Sequence, residues 1–332
     1  MISVIIVTFN AEQLILNCLS AMNKQTHNCF EIVIVDNGSS DNTLKTIDEF
    51  LQKTSVKFPI KIIPLEKNLG FSKGNAEGLS HASGNYIALL NNDTVPHKKW
   101  LEELEPGLEI YPSVGACASK LVCYNSNRVD SAGDCFTKIL MGHKRGEGMD
   151  IASFNIFEHV FGACAGAALY RREMIENIGF LDDDFFLIHE DTDLNFRAQL
   201  AGWKVLYVPT AIVYHKVRSS IGSMSDLAVY YSLRNREFVR IKNVPFGVFM
   251  KCFPEFILGI ISEFLYFAVK HKQFKLFLKA KKDALKMFPQ MWKKRKIIMK
   301  TRKVNNRYLL GLMTPIWQKD FFKAKLGKFL HG

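Results

Sequence analysis

Ser3-Val-Ile-Ile-Val-Thr-Phe9, followed at once by Asn10, is a short apolar run dominated by β-branched residues. With nothing polar between Ser3 and Thr8, it suits a strand covered on both faces, as in parallel sheets. A helix should follow, capped by Asn10 with Gln13 three positions on and with Leu14, Cys18, Leu19 and Met22 along one face. The unit then recurs. Glu31-Ile-Val-Ile-Val35 reads as a strand, Thr43 to Leu51 as a helix capped by Asp41, Ile60 to Leu65 as a third strand, Ser72 to His81 as a helix and Tyr86-Ile-Ala-Leu-Leu90 as a fourth strand. Alternating β and α units of this size predict an α/β fold with a Rossmann-like, mostly parallel central sheet flanked by helices.

Each apolar run ends in polar residues: Thr8 and Asn10, Asp36 to Asp41, Asn68 to Asn75, and Asn91 to Asp93. In an open parallel sheet such strand ends converge on one crevice, where ligands bind. Asp36, opening Asp36-Asn-Gly-Ser-Ser-Asp41, can hydrogen-bond a base or ribose, although the same residues also suit a capped turn. Asn68-Leu-Gly-Phe-Ser-Lys-Gly-Asn75 lacks the spacing of a P-loop, and no G-x-G-x-x-G lies near the first strand, which leaves ATP and NAD chemistry without support. Gly70, the backbone amides and Lys73 can still face a diphosphate, or form a surface loop with a solvated lysine. Asn91-Asn92-Asp93 sets a carboxylate where a divalent cation can bridge it to phosphate oxygens, and also suits a plain turn.

Farther along, residues 122 to 160 lack clear periodicity and carry four glycines, as a loop-rich insertion would. A helix is expected from Asp191 to Ala201, then strand-like runs at Val205 to Val208 and Ala211 to Tyr214. Asp182-Asp-Asp184 and Asp193 read as solvated charge. The seven cysteines are odd in number and contain no C-x-x-C pair, which fits reduced, mostly buried thiols rather than a zinc site. The N-terminus has no basic segment or cleavage site of a signal peptide, so a cytoplasmic protein is expected.

Charge divides the chain. From Lys216 onward there are 26 Lys+Arg against 6 Asp+Glu, whereas residues 1 to 215 carry a net −8. The basic part interleaves lysines with Phe253 to Val269, Phe274, Leu276, Phe277, Phe288 and Trp292. No apolar stretch reaches the roughly 20 residues of a transmembrane span. The mixture is that of amphipathic helices lying on an anionic membrane surface. A solvated basic bundle has similar composition. A nucleic-acid partner is the weaker reading, because the aromatics sit among bulky aliphatics.

Taken in order, Val-Ile-Ile-Val-Thr-Phe-Asn10, Val-Asp36-Asn-Gly-Ser-Ser-Asp, Asn68-Leu-Gly-Phe-Ser-Lys-Gly-Asn75 and Leu-Leu-Asn-Asn-Asp93-Thr resemble successive motifs of family-2, GT-A type inverting glycosyltransferases. Gly162 to Arg172, Phe185-Phe-Leu-Ile-His-Glu-Asp-Thr-Asp-Leu-Asn-Phe-Arg197, Ala201-Gly-Trp203 and Val213-Tyr-His215 resemble the rhamnosyltransferase-like branch. The similarity covers about residues 2 to 240. It implies that Asp36 holds the nucleotide base, Asp93 is the metal-binding end of the D-x-D motif, Asp191 is the catalytic base and His215 is a second metal ligand. Asn91 departs from the family pattern, in which aspartate is common. The chemistry calls for such a set, because an acceptor hydroxyl is a poor nucleophile until a carboxylate takes its proton. Glu190 is placed to orient the acceptor.

The reading as a whole is a catalytic domain over 1–222, with Thr8, Asn10, Asp36, Asn68, Gly70, Lys73, Asn75, Asn91, Asn92 and Glu190 contacting substrate. A basic, helical, membrane-associating region covers 223–332. The enzyme would use Mg²⁺ or Mn²⁺ and move a sugar from a dTDP- or UDP-linked donor, rhamnose among them, to a glycan or lipid-linked glycan, peripherally on the inner face of the cell membrane. A non-catalytic nucleotide-sugar sensor or assembly protein is the rival. The sugar pocket is not fixed by fold or motif.

Overall fold

A computed structural model describes residues 1–216 and 225–316. The expected boundary between residues 222 and 223 lies outside the described residues. In chain order the elements begin with β1 (Ile2–Thr8), α1 (Glu12–Met22), β2 (Phe30–Asp36), α2 (Thr43–Lys53), β3 (Ile60–Pro64), α3 (Gly70–His81), β4 (Tyr86–Leu90), β5 (Thr94–Pro96) and α4 (Trp100–Glu109). There follow β6 (Val114–Cys123), β7 (Val129–Ala132), β8 (Asp134–Phe136), β9 (Gly142–Lys144), β10 (Glu158–Val160), β11 (Ala167–Arg171), α5 (Arg172–Ile178), α6 (Glu190–Leu200) and β12 (Lys204–His215). Helices α7 (Asp226–Asn243), α8 (Phe246–Lys251), α9 (Phe253–Glu263), a π-helical turn over Phe264–Lys270, α10 (Phe274–Lys286), α11 (Phe288–Lys300) and α12 (Asn306–Leu312) follow among the described residues.

The main sheet runs β10-β12-β6-β11-β4-β1-β2-β3. Strands β4, β1, β2 and β3 pair in parallel, as the recurring β and α units require, and β12 joins β6 in parallel; β11 inserts antiparallel between β4 and β6. The alternation of β1 explains its unbroken apolar run. Ile2, Val4 and Ile6 pack on one face with Ile15 and Leu19 of α1, Ile47 of α2 and Trp100 of α4. Ile5 and Val7 pack on the other with Leu79 of α3, Met174 of α5 and Leu194 of α6. Both faces are therefore dry, and only strand ends can carry polar chemistry.

Two local expectations are corrected. Asn10 does not cap α1: its φ of 47° puts it in the left-handed region, and its Oδ1 accepts from the Ser40 amide at 2.8 Å instead. Asp41 does receive the first amide of α2, from Thr43 at 3.0 Å, but it stands one position before the cap residue Asn42. The insertion over 122–160 is also more ordered than its lack of periodicity suggests. It holds the end of β6 and strands β7 to β10, each of the latter only three or four residues long, too short to show a period. The two runs over 205–214 form one strand with a register shift between Val208 and Ile212.

Of the charges read as solvated, Asp183 is exposed, but Asp182 and Asp184 are half-buried and Asp193 is buried. Asp193 is fully buried between Arg197 (2.9 Å) and Lys242 (2.7 Å), and Asp182 pairs with Lys242 and with Lys294 (2.5 Å). These pairs fasten the C-terminal helices to α6. A common apolar core lies beneath them, where Phe136, Phe161, Phe196 and Leu200 meet Phe238, Val248, Met291 and Leu309. A buried charge is tolerable only with such partners. Glu263 has three, Arg240 at 2.9 Å, Lys281 at 2.8 Å and Arg236 at 3.4 Å.

Candidate active site

The parallel register sets Thr8 beside Asp36 at the carboxyl ends of β1 and β2, with the Asn91–Asp93 turn following β4 on the other flank of β1. This is where strand order reverses, the crevice expected of an open α/β sheet. Thr8 Oγ1 accepts from Asn92 Nδ2 at 3.1 Å, tying the two strand ends together. Asp36 is buried, and its carboxylate accepts from the Ser39 amide (3.1 Å) and hydroxyl (2.5 Å), which folds the loop over it. Asn68 accepts from Asn37 Nδ2 (3.1 Å) and from the Gly70 amide (2.8 Å). Gly70 has a φ of 86°, and a Cβ there would collide with Phe186. Lys73 is exposed on α3, whereas Asn75 is buried and donates to the Phe71 carbonyl within that helix.

Asp93 and His215 meet. Residues Thr94 to Pro96 pair with Val213 to His215, so the chain after β4 runs antiparallel to the end of β12 and brings Asp93 within 3.2 Å of His215 Nε2. The Asp93 atom in that contact, Oδ1, is buried. On the far side of the ring, His215 Nδ1 lies 2.8 Å from Asp130 Oδ2, and Lys144 Nζ reaches both Asp130 oxygens at 2.8 Å. Burial works against charge on the ring, but the two carboxylates prevail and push His215 up to about 9. Burial likewise opposes charge on Asp130, yet His215 and Lys144 hold it down at about 2.

Asp191 stands at the start of α6, half-buried, accepting from the Thr192 amide (2.6 Å) and the Ala165 amide (3.3 Å). The neighbouring Gly166 carbonyl accepts from the Asn91 amide at 2.9 Å, so the 163–166 turn joins the start of α6 to the Asp93 turn. Asn195, one turn farther along α6, pins the same stretch by exchanging hydrogen bonds with both backbone groups of Ala163 (3.1 and 2.9 Å). Burial raises Asp191 above its ordinary range; burial and the Asp191 charge push Glu190 to about 8. Glu190 is 7% exposed and its Oε2 has no partner. Asp134 and Cys164 lie with Asp191 so that one ligand atom from each falls within 4.8 Å of the others. Burial and Asp191 hold Asp134 protonated far above the normal range, and burial keeps the Cys164 thiol neutral.

The side chains thus form a line from Asp93 through His215, Asp130 and Lys144 toward Asp134 and Asp191. A buried carboxylate oxygen 3.2 Å from an imidazole nitrogen is a donor pair that fits Mg²⁺ or Mn²⁺ completed by phosphate oxygens. The Asp134–Cys164–Asp191 group fits such an ion less well, because its soft thiol stays protonated. Asp130, Asp134 and Lys144 are not visible as a site in the sequence. They lie in the aperiodic insertion, and only their fixed spacing on β7 to β9 could have drawn notice.

A family model, glycosyl transferase family 2, matches residues 3–179. The chain belongs to that family. It is a glycosyltransferase of GT-A fold, with a mixed central sheet flanked by helices and a helical C-terminal region. The amylovoran biosynthesis glycosyltransferase AmsB of Erwinia amylovora is 26% identical over 238 residues, 70% of this chain and 75% of that protein. The chain spans 31% to 60% of the length of other curated relatives. Among solved structures, S. aureus TarS 1-349 in complex with UDP-GlcNAc superposes with a TM-score of 0.59 at 18% identity, covering 90% of this chain and 88% of that one. A mannosyltransferase from Pyrobaculum calidifontis in complex with GDP-Man and Mn²⁺ gives 0.56 at 16% identity, covering 99% and 80%. At these identities the two structures speak for the fold.

Proposed function

We propose that this glycosyltransferase moves a sugar from a nucleotide-diphosphate donor to a hydroxyl of a glycan or lipid-linked glycan, inverting the anomeric centre, with Asp191 as general base. The observation that carries the reading is that the 163–166 turn links the Asp93–His215 pair to the Asp191 carboxylate. Asp93 faces His215 Nε2 at 3.2 Å, a carboxylate and a ring nitrogen that suit a cation, while Asp191, joined to the Asp93 turn through the 163–166 turn, is raised above its ordinary range by burial.

In this scheme Asp93 and His215 would hold Mg²⁺ or Mn²⁺, which supplies neutralisation of charge on the departing diphosphate. Asp36, Thr8, Asn10 and the 68–75 segment border the nucleotide side of the crevice, where the exposed Lys73 can reach an anion. Asn91 and Asn92 hold the turn that carries Asp93. On the acceptor side Asp191 takes the hydroxyl proton as the new bond forms, and Glu190, protonated below about 8, is a donor to a second acceptor oxygen. The relatives and neighbours act on or bind different sugars, so dTDP-rhamnose, UDP-hexoses and GDP-sugars form the candidate donor set. A thermal-shift screen of these with and without Mn²⁺ selects among them.

Membrane association belongs to the same reading. No helix among the described residues is long and apolar enough to cross a membrane. Instead α9 and the π-helical turn expose Phe253, Ile257, Ile261, Leu265 and Val269 at helical spacing, bordered by exposed Lys251, Lys270 and Lys272. An apolar stripe with a basic margin is suited to anionic headgroups, and a lipid-linked acceptor would be delivered there.

Asp191→Asn tests the base. Transfer should fall by at least about 10²-fold, the usual share of a general base. The dissociation constant for the Mn²⁺–nucleotide complex should stay unchanged. Transfer at the wild-type rate would remove Asp191 from the mechanism.

A further inference from the structure

The five residues that lead into Glu190 and Asp191 are bent in an unfavourable way. Phe186, Ile188 and His189 have φ values of 62°, 66° and 70°. Residues other than glycine rarely adopt this conformation, and a β-branched residue such as Ile188 does so least readily. Such a bend persists only where its surroundings over-determine it.

Those surroundings come from α7. Asn235 is fully buried, and its Nδ2 donates to the carbonyls of Phe185, Leu187 and Ile188, each at 2.8 Å. Its Oδ1 is itself fixed by Arg234 Nε at 2.9 Å. Arg234 also donates to the carbonyls of Asp184 (2.7 Å) and Phe185 (3.2 Å), and Arg236 Nε donates to His189 Nε2 at 3.3 Å. Two consecutive residues of one helix thus hold the backbone of the bend, and a third holds its His189 ring. The far side of the bend reaches the nucleotide side of the crevice. Phe186 stacks on Tyr231 with centroids 5.1 Å apart, its carbonyl accepts from the Ser72 amide at 3.3 Å, and its ring fills the space that a side chain at Gly70 would occupy.

We propose that Asn235, with Arg234, is a positioning residue for sugar transfer: it locks the left-handed bend of Phe185–His189 that aims Asp191 and seats Phe186 against the Gly70 turn. The inference rests on the reading of Asp191 as base. It gives the Arg234-Asn235-Arg236 run a role in the reaction, so that the catalytic unit extends into the first C-terminal helix. A displacement of the base by about 1 Å is enough to cost about 10²-fold in rate.

The test is steady-state kinetics on the full chain, with thermal melting and nucleotide binding measured alongside. Asn235→Ala should lower kcat by about 10²-fold, a larger effect than on the KM for donor, because Asp191 follows directly from the bend whereas the Gly70 turn keeps its own bond to Asn68. Asn235→Asp, of equal size but facing the three carbonyls with oxygens, should do the same or worse. Adding Ile188→Gly to Asn235→Ala should restore much of the rate, since glycine adopts the left-handed conformation without being held there. A purely structural role would show equal loss in melting temperature and binding, with no rescue by glycine. If Asn235→Ala does not fold, Arg234→Lys removes the guanidinium bonds to Asp184 and Phe185 in a milder way and should show the same split between kcat and KM. Wild-type kcat in a folded Asn235→Ala or Arg234→Lys protein overturns the proposal. The two failures separate: an active Asp191→Asn enzyme defeats the base, whereas an inactive Asp191→Asn enzyme with an unimpaired Asn235→Ala enzyme defeats only the clamp.

Discussion

His215 has little freedom of orientation. One ring nitrogen faces Asp130 at 2.8 Å and the other faces Asp93 at 3.2 Å, so a cation bound at Asp93 would replace the proton on Nε2 while Asp130 keeps the one on Nδ1. Asp130 is in turn held by both of its oxygens to Lys144. Partners behind a metal-binding histidine commonly account for about 10- to 100-fold in metal affinity. Asp130→Asn should therefore weaken Mn²⁺ binding by that amount, read by electron paramagnetic resonance titration without any acceptor present. Unchanged Mn²⁺ affinity would mean that the histidine is held by other contacts. None of this second layer could be read in advance. Asp93 stands at the end of an apolar run and His215 is a candidate only through the family resemblance, but Asp130 and Lys144 come from strands of four and three residues, whose length gives no periodic signal.

At the scale of elements, the parallel half of the sheet was legible because burial on both faces demands uninterrupted Val and Ile, and β1, β2 and β4 satisfy that demand. The polar residues terminating those strands were legible for the same reason, since only strand ends are free to carry them. The exception is capping at Asn10, whose backbone amide and side-chain oxygen serve the Ser39–Ser40 loop rather than α1. The glycines of the 68–78 stretch also do different work from what a phosphate loop would ask. Gly74 and Gly78 let α3 lie directly on Val7 and Ile5 of β1. Asp193 and Asp182 were opaque because their partners, Lys242 and Lys294, lie 49 to 112 positions away and belong to a region that composition alone marks as a separate basic tail. Charge in a sequence says nothing about burial until the partner is located.

For the molecule as a whole, the C-terminal helices serve two surfaces at once. Their inner side completes a core with Phe136, Phe161 and Phe196, and removing the chain after Asn243 would expose that core together with the Asp182 and Asp184 carboxylates. Surface substitutions are therefore the proper probe of their outer side. The intact chain should cofloat with vesicles containing anionic lipid at low salt and less so at high salt, and Ile257→Glu with Ile261→Glu should abolish flotation while leaving the melting temperature near that of the wild type. Failure of the wild-type chain to bind anionic vesicles would leave the exposed stripe to some other partner.

The central claim is a division of labour, with a cation at Asp93 and His215 and a free base at Asp191. A crystal of the protein grown with a nucleoside diphosphate and Mn²⁺ tests it most directly, through the anomalous signal of manganese. The account predicts one peak in coordination range of Asp93 and His215, with the Asp191 carboxylate free of metal and facing the same cavity. A peak seated instead on Asp134, Cys164 and Asp191 would make Asp191 a ligand and contradict it.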